Sequence, residues 1–311
     1  MGMTGRRWLE SVMKFQLVVA LALSLMGCSA EKTTVDPMVL VHNERAFAAD
    51  VADVGMRDGF LAHIAADGVL FVPEAVNGKA HYEASRRRRG HLSWFPIYAE
   101  ISSGGDMGWT TGPWEWRQDS MDSLPQASGH YNTIWVLQPD STWKFVFDMG
   151  VAHSPHQAAP PPLAIRALDM PSIDGDLTLD QARAELVQVE RTFASTSASQ
   201  GLVTAYVSRM ANDIRCYRQG EYPIVGVSDV TTALSQIDGI WTWDVNHADV
   251  SQSCDLGYTF GVSRLDRAGA SIQYSYGRIW RRGDDGAWQL TVDIHIPLPQ
   301  PSTPVEEETG S

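Results

Sequence analysis

The stretch SGGDMGWTTG at 103–112 returns as QSCDLGYTFG at 252–261, and three further echoes keep order with it. GHYNTIW, ending at Trp135, is matched by YSYGRIW, ending at Trp280. PDSTWKFVFD, ending at Asp148, is matched by DDGAWQLTVD, ending at Asp293, and Glu44-Arg45-Ala46-Phe47 by Glu190-Arg191-Thr192-Phe193. The offsets are 149, 145, 145 and 146 residues, so whatever shape one copy takes the other must also accommodate. A chain of 311 residues repeated in this way reads as a tandem duplication of a unit of ordinary domain size.

Within one copy the order of elements is legible. Residues 38–53, MVLVHNERAFAADVAD, carry apolar side chains at helical spacing, and a shorter helix is expected over 58–65. The strand VLFVP follows, then a helix over 79–89 opened by Asn77-Gly78. Four strands complete the copy, at about 94–102, 106–117, 129–138 and 142–151, two of the joins being hairpin turns at SGG and PDS. Helices followed by a run of antiparallel strands define an α+β layout. Nothing alternates strand and helix as a dinucleotide-binding fold would. The first unit spans 38–154 and the second 177–297. Between them residues 155–176 include Pro160-Pro161-Pro162, which favours a semi-rigid extended linker. The Pro-rich acidic tail 298–311 has the composition of a disordered segment.

From Met13 the chain reads one Lys, an apolar run of roughly a dozen residues, and small residues before Cys28, the layout of a secretory signal peptide. The run is shorter than the roughly 20 residues a spanning helix needs. Leu25-Met26-Gly27-Cys28 resembles the bacterial lipobox. The resemblance implies removal of 1–27, lipidation of Cys28 and a polar tether over 28–37, with the lipid bilayer as partner. Ser29 after the cysteine implies sorting to the outer membrane of a bacterial cell envelope, facing the periplasm. The plainer alternative is an ordinary cysteine beside a normal cleavage site. Arg6-Arg7 is a poor twin-arginine match and fits an extended leader or an early start codon better.

The formal net charge is −13, and loss of 1–27 would leave 21 basic and 36 acidic residues, or −15. So acidic a chain repels phosphate backbones, which argues against nucleic acid as a partner. The run Arg86–Arg89 falls in a predicted helix, either as a solvated face or as a contact for an anion or lipid headgroup. Cys216 and Cys254 are either a disulfide of an oxidising compartment or two buried thiols.

The element order, with GFLAHIAADGVLFVP leading into Gly78 and the closing strand Trp143–Asp148, resembles the NTF2-like superfamily. Within it, the SnoaL-like and DUF4440-type domains related to ketosteroid isomerase are most similar. The resemblance covers 38–152 and, more loosely, 180–297. It implies two tandem cone domains, each with about three helices packed on a curved, mainly antiparallel sheet. The mouth of such a cone holds a small apolar ligand or an active site. The two domains would pair sheet to sheet as an internal pseudo-dimer. In the isomerases the general base is an aspartate before the proline that closes the first strand, and a tyrosine of the first helix is the oxyanion donor. The matching positions here are Val72 and Phe47, and in the second copy Tyr217 and Phe193. Valine takes no proton and phenylalanine donates no hydrogen bond, so the family's isomerisation is not expected.

Other ionisable residues lie on elements that surround such a cone. His63, His130 and Glu74 are weak catalytic candidates, since a buried imidazole with a carboxylate partner can move protons, although each also fits a purely structural role. Asp148, Asp293 and His295 sit on the closing strands. Alternation with Trp143, Phe145 and Phe147 on one face puts Asp148 on the other beside Lys144, in a solvent or interface role. His153 and His156 have no carboxylate or cysteine to complete a metal site. No nucleophile motif, phosphate loop or zinc spacing occurs, so no cofactor is indicated. Aromatic residues stand out more. Trp94, Tyr98 and Trp109, with Val72 and Phe47, are expected to line a ligand cavity unless they are plain core. Trp109 falls on the opposite face of strand 106–117 from Trp114 and Trp116, so that strand is buried on both sides. The function expected is a lipid-anchored module that binds a small apolar ligand without turnover. The alternative is an isomerase-, dehydratase- or hydrolase-type enzyme in the first domain, with the second as a degenerate structural partner.

Overall fold

The computed structural model describes residues 35–300 apart from 88, 120, 122, 123, 157 and 170–176. The signal segment 1–27, the lipidation residue Cys28, most of the tether and residues 301–311 of the tail lie outside the described residues.

The first half opens with α1 (Met38–Val54), whose buried side chains Leu40, Val41, Glu44, Phe47 and Val51 recur every three or four positions and so form one stripe. Asp36 accepts from the Met38 amide at 2.9 Å, and the helix stops at Gly55, which takes φ of 88°. Then come α2 (Met56–His63) and β1 (Ile64–Phe71). The strand thus begins where the sequence suggested the end of a helix, and its pairing with the closing strand shifts register between Ile64 and Val69. After β2 (Ala75–Asn77), the Asn77 side chain accepts from Ala80 N at 2.8 Å and caps α3 (Gly78–Ala84). The helix expected to continue through the arginine run ends at Ala84, where the Ser85 hydroxyl takes the His81 carbonyl. Arg86, Arg87 and Arg89 are therefore exposed beyond it, Arg87 meeting Asp58 at 2.5 Å.

The predicted strand at 94–102 is two strands, β3 (His91–Trp94) and β4 (Tyr98–Ile101), parted at Phe95-Pro96-Ile97, where proline offers no ladder donor. The long strands β5 (Met107–Arg117), β6 (Ala127–Leu137) and β7 (Trp143–His153) follow, and the linker itself supplies β8 (Ala164–Ala167), parallel to β4. The sheet order is β2-β1-β7-β6-β5-β4-β8, with β3 also on β5.

In the second half the Thr178–Gln181 capping box starts α4 (Leu179–Gln200). Next are α5 (Leu202–Val207), β9 (Met210–Arg218), β10 (Ile224–Val225) and α6 (Val227–Ser235). The long strands are β11 (Ile240–Val250), β12 (Leu256–Arg267), β13 (Ala270–Arg282) and β14 (Trp288–Pro297). Their order, β10-β9-β14-β13-β12-β11, repeats β2-β1-β7-β6-β5-β4 of the first sheet, with β11 in the place of β3 and β4 together and no counterpart of β8. The fold is α+β, with two separate mixed sheets and three helices packed against each. Among the described residues no helix is long and apolar enough to cross a membrane.

A bulge in each closing strand decides which side chains enter the cone. Ile134 pairs with Phe147 and Trp135 with Phe145, so Val146 is an extra residue. Phe145 consequently joins Phe47 and Trp135 on the helix side, Phe147 turns to the other sheet, and Asp148 comes back to the helix side. The expected alternation, and with it the solvent or interface role for Asp148, is overturned by that one residue. Thr291 bulges in the same way in β14, and Asp293 is fully buried inside its own half.

The outer faces of the two sheets meet in a shared cluster that includes Trp109, Ile134, Phe147 and Met149 from one and Tyr258, Ile279, Val292 and Ile294 from the other. At its end Ser103 N donates to Asp255 at 2.8 Å while Gln252 N donates to Asp106 at 2.9 Å. Residues 103 and 252, like 106 and 255, are repeat mates, and this exchange of partners is what a two-fold-related contact produces. Arg281 spans the same join, bonding the buried Glu100 at 2.9 Å and also Asp213.

Candidate functional site

A cavity of about 240 Å³ opens into the first half between α1, α2 and the concave face of the sheet. Glu44 projects from the buried stripe of α1 into its floor. Its carboxylate accepts from Trp94 Nε1 at 2.5 Å, Thr110 Oγ1 at 2.5 Å and Trp135 Nε1 at 3.0 Å. Burial raises its pKa, opposed by those three donors. Asp148 reaches the same cavity from β7 and has one donor, Thr133 Oγ1 at 3.3 Å. Burial first, and the Glu44 charge second, push it up to about 7. Tyr131 adds a buried hydroxyl with no hydrogen-bond partner. Phe47, Phe60, Leu70, Leu92 and Trp94 make the walls, with Val72 and Gly150 near the opening. Among the described residues neither Glu44 nor Asp148 forms an ion pair.

The second half keeps the frame and changes the charge. Glu190 accepts from Thr259 and from Trp280 Nε1 at 3.2 Å, as Glu44 does from Thr110 and Trp135. Arg278, however, stands at the register position of Thr133, opposite Asp293 as Thr133 is opposite Asp148. Its guanidinium bridges Glu190 and Asp293, both at 2.7 Å. Asp293 also receives Tyr206 Oη at 2.7 Å and the Arg218 guanidinium. Burial alone would raise its pKa, but Arg218, His295 and Arg278 outweigh burial and hold it well below the usual carboxylate range. The second half has a cavity of about 340 Å³ lined by Cys216, Arg218, Trp241 and His295, and this cavity reaches none of Glu190, Arg278 and Asp293.

Of the residues singled out in the sequence, Phe47, Val72 and Trp94 do line the first cavity, Val72 at its exposed rim. Tyr98 and Trp109 do not. They pack against each other, tilted, with ring centres 4.8 Å apart in the cluster between the sheets and Tyr98 Oη on Glu100, so the expectation that they line the cavity is corrected. Glu74 is exposed in the turn after β1, with its backbone carbonyl taken by Val72 N. His63 lies behind the wall, its Nε2 2.7 Å from the exposed Asp50 and its ring against Phe47. His130 faces away from the cone into a separate hollow with His153, at 2.8 Å, and Tyr222. Burial, then His153, Arg215 and His156, lower its pKa to about 3, and among the described residues no carboxylate pairs with it. Among the described residues no three His, Cys, Asp or Glu side chains are placed to hold a metal ion. The second-copy mate of Val72 is Arg218, not Tyr217. Pairing aligns Leu70 with Asp148 and Cys216 with Asp293, so Tyr217 corresponds to Phe71 and points between the sheets. Cys216 and Cys254 are free and buried, and burial pushes the Cys216 thiol up to about 12.

The sequence reading missed Glu44, Tyr131 and Thr133. A signal did exist for Glu44, since a glutamate occupies the apolar stripe of the first helix in both copies.

No family model matches this sequence, and no curated protein matches it. Solved structures do. An NTF-2 like protein of unknown function from Shewanella oneidensis MR-1 shares 16% identity over 36% of this chain and 96% of its own, with a TM-score of 0.32. A ketosteroid isomerase-like protein from Erwinia carotovora atroseptica SCRI1043 shares 12%, over 37% and 96%, with a TM-score of 0.33. An LEH-like epoxide hydrolase from M. tuberculosis shares 14%, over 38% and 81%, with a TM-score of 0.30. These are likenesses of shape to about a third of the chain, and what those proteins bind or catalyse is not carried over from them.

Proposed function

We propose that the first half is the working half: its cavity binds one small, mainly apolar molecule carrying a polar group, and the second half is its permanent structural partner. The observation that supports this most is the asymmetry at one register position, Thr133 against Arg278. The threonine leaves space above two carboxylates, whereas the arginine occupies it. A cavity of this volume exceeds the roughly 150 Å³ that accommodates benzene in an engineered protein core. Its apolar walls and few converging polar groups have the character of a small-molecule site. The test is ligand-induced thermal stabilisation across a set of small aromatic and alicyclic molecules. Leu92→Trp introduces the residue that the second half carries at the corresponding Trp241, and it should abolish the stabilisation while leaving a cooperative melt. Stabilisation that survives Leu92→Trp would overturn the assignment.

A second reading, proton-transfer catalysis in the same cavity, is favoured by an Asp148 that titrates near neutrality beside an unpaired Tyr131 hydroxyl. It requires turnover with an apparent pKa near 7 that disappears in Asp148→Asn.

The finer placement rests on sequence alone. The apolar run, Cys28 and the polar tether support a bacterial lipoprotein held at the outer membrane by its acylated cysteine, with the cavity offered to the periplasm. Cys28→Ala should then release the protein from membrane fractions and abolish palmitate labelling.

A further inference from the structure

The second half carries, as part of its own chain, a cation where the first half has space. Arg278 lies over Phe193, Trp243 and Tyr276, with its central carbon 4.8, 4.2 and 4.5 Å from the three ring centres. It also bonds both buried carboxylates. The repeat mates of those rings are Phe47, Trp94 and Tyr131, and all three line the first cavity. The Phe–Trp spacing of the cage is kept, since Phe47 and Trp94 are 4.8 Å apart and Phe193 and Trp243 are 4.7 Å apart, while the rings cross at 74° in the first half and 54° in the second. The carboxylate mates, Glu44 and Asp148, are kept as well. What differs is the occupant, because Thr133 cannot fill the cage or balance the charge. The hydroxyls of Tyr131 and of its mate Tyr276 are alike in being buried without a partner, so they do not distinguish the halves.

We infer that the molecule bound in the first half is an organic cation, an amine, amidine or guanidine on a small apolar or aromatic body, seated between Glu44 and Asp148 inside the cage of Phe47, Trp94 and Tyr131. This deepens the reading of the cavity as a small-molecule site and rests on it. Three elements of recognition coincide. Aromatic faces attract a desolvated cation. Two carboxylates give it charge-assisted hydrogen bonds. With Glu44 fully buried, Asp148 half-buried and no counter-charge, the empty, fully ionised site is disfavoured, so an incoming cation removes a cost that a neutral ligand leaves in place. Because Asp148 holds its proton up to about 7, cation uptake at pH 6 must expel a proton, and binding must tighten as the pH rises towards 8.

The experiment uses the purified full-length protein and isothermal titration with a matched pair of probes, benzamidine and its neutral isostere benzamide. Benzamidine is expected to bind at least tenfold more tightly at pH 8 than benzamide, and to weaken severalfold at pH 6. At pH 6, heats in buffers of different ionisation enthalpy should show proton release. Asp148→Asn and Glu44→Gln should each reduce benzamidine affinity at least tenfold with little effect on benzamide. Thr133→Arg, which places the second half's own cation in the first, should abolish benzamidine binding, with a cooperative melt reporting that the variant is folded. If benzamide binds as tightly as benzamidine, and Leu92→Trp weakens both, the cavity reading survives and the cation assignment fails. If benzamidine binding ignores Asp148→Asn, Glu44→Gln and Thr133→Arg, it lies elsewhere and the assignment again fails. If neither probe binds the wild type at millimolar concentration, both readings fall.

Discussion

Glu44 and Asp148 in the first half, Glu190 and Asp293 in the second, are the same two carboxylates on the same two elements, yet they live in opposite electrostatic states. In the second half Arg218 and Arg278 balance Glu190 and Asp293, His295 is held neutral by burial with a pKa of about 4, and the space above the carboxylates is closed. In the first half the mates of those basic residues are Val72, Thr133 and Gly150, and the result is an open cavity above two carboxylates without a cation. Fold and charge network have therefore parted company. The frame of Thr, Trp and Glu, with Trp135 or Trp280 tying the glutamate to the sheet, is common to both halves. The frame positions the carboxylates, and the residue at 133 or 278 decides whether they serve stability or are left available to a ligand.

The harshest way to break this comparison is to make the second half resemble the first. Arg278→Thr leaves Glu190 and Asp293 buried without their bridge, and removing one member of a buried charge network destabilises by about 3–5 kcal/mol. Urea unfolding should show that loss. A change under about 1 kcal/mol would mean that the closed site contributes nothing distinctive to stability.

A smaller effect, and one of opposite sign in the two halves, comes from pH. The folded pKa of Asp148, about 7, lies above its unfolded value of about 3.9. The protonated form thus favours the fold below pH 4, and that contribution is lost as the pH rises to 7, with a slope of at most about 1.4 kcal/mol per pH unit. Asp148→Asn should remove this slope and leave the protein more stable than wild type at pH 8. Asp293 is depressed, so its contribution is present above about pH 4 and lost as the pH falls through its folded value. Asp293→Asn should therefore destabilise at pH 8. Chemical unfolding of both variants between pH 4 and 8 checks the two signs together, and equal signs would erase the distinction between the halves.

Making the first half resemble the second is gentler. Thr133→Arg places a guanidinium in a cavity whose three aromatic residues and two carboxylates have the same identities as those around Arg278, so its stability should change by less than about 1.5 kcal/mol in either direction, a range set by overpacking against new buried ion pairs. A loss of 4 kcal/mol would show that the two cages differ in shape, not only in occupant.

How much of this could be read from the chain depended on what kind of information each feature needs. The two copies, the helix of Met38–Val54 and the long strands were legible because periodicity and repeat spacing are local. Register was not. One extra residue, Val146, moves Phe147 from the cone to the sheet interface and Asp148 from solvent into the cavity, and no alternation rule shows where a bulge falls. The same limit explains the misplacement of Tyr217, since Arg218 is recognised as the mate of Val72 only through the pairing of β9 with β14. Tyr98 and Trp109 were legible as buried aromatics, but which layer buries them is a tertiary fact. The most telling substitution, Thr133 for Arg278, was present in the aligned echoes GHYNTIW and YSYGRIW, and its meaning required knowing that the position faces a glutamate from a distant helix.

The smallest effect concerns His63, a weak catalytic candidate in the sequence whose geometry is peripheral. Its Nε2 lies 2.7 Å from Asp50, and the Asp50 side chain is 55% exposed, so water screens the pair. Such exposed pairs contribute about 0.2–1 kcal/mol. The second half carries Arg209 at the matching position, so the site itself tolerates a different base. His63→Gln should lower stability by no more than about 1 kcal/mol and leave ligand-induced stabilisation of the first half unchanged, because the ring contacts the back of Phe47 and does not line the cavity. A severalfold loss of ligand affinity in that variant would show that the imidazole acts through Phe47 on the cage, and the boundary drawn here around the site would have to move outward to include it.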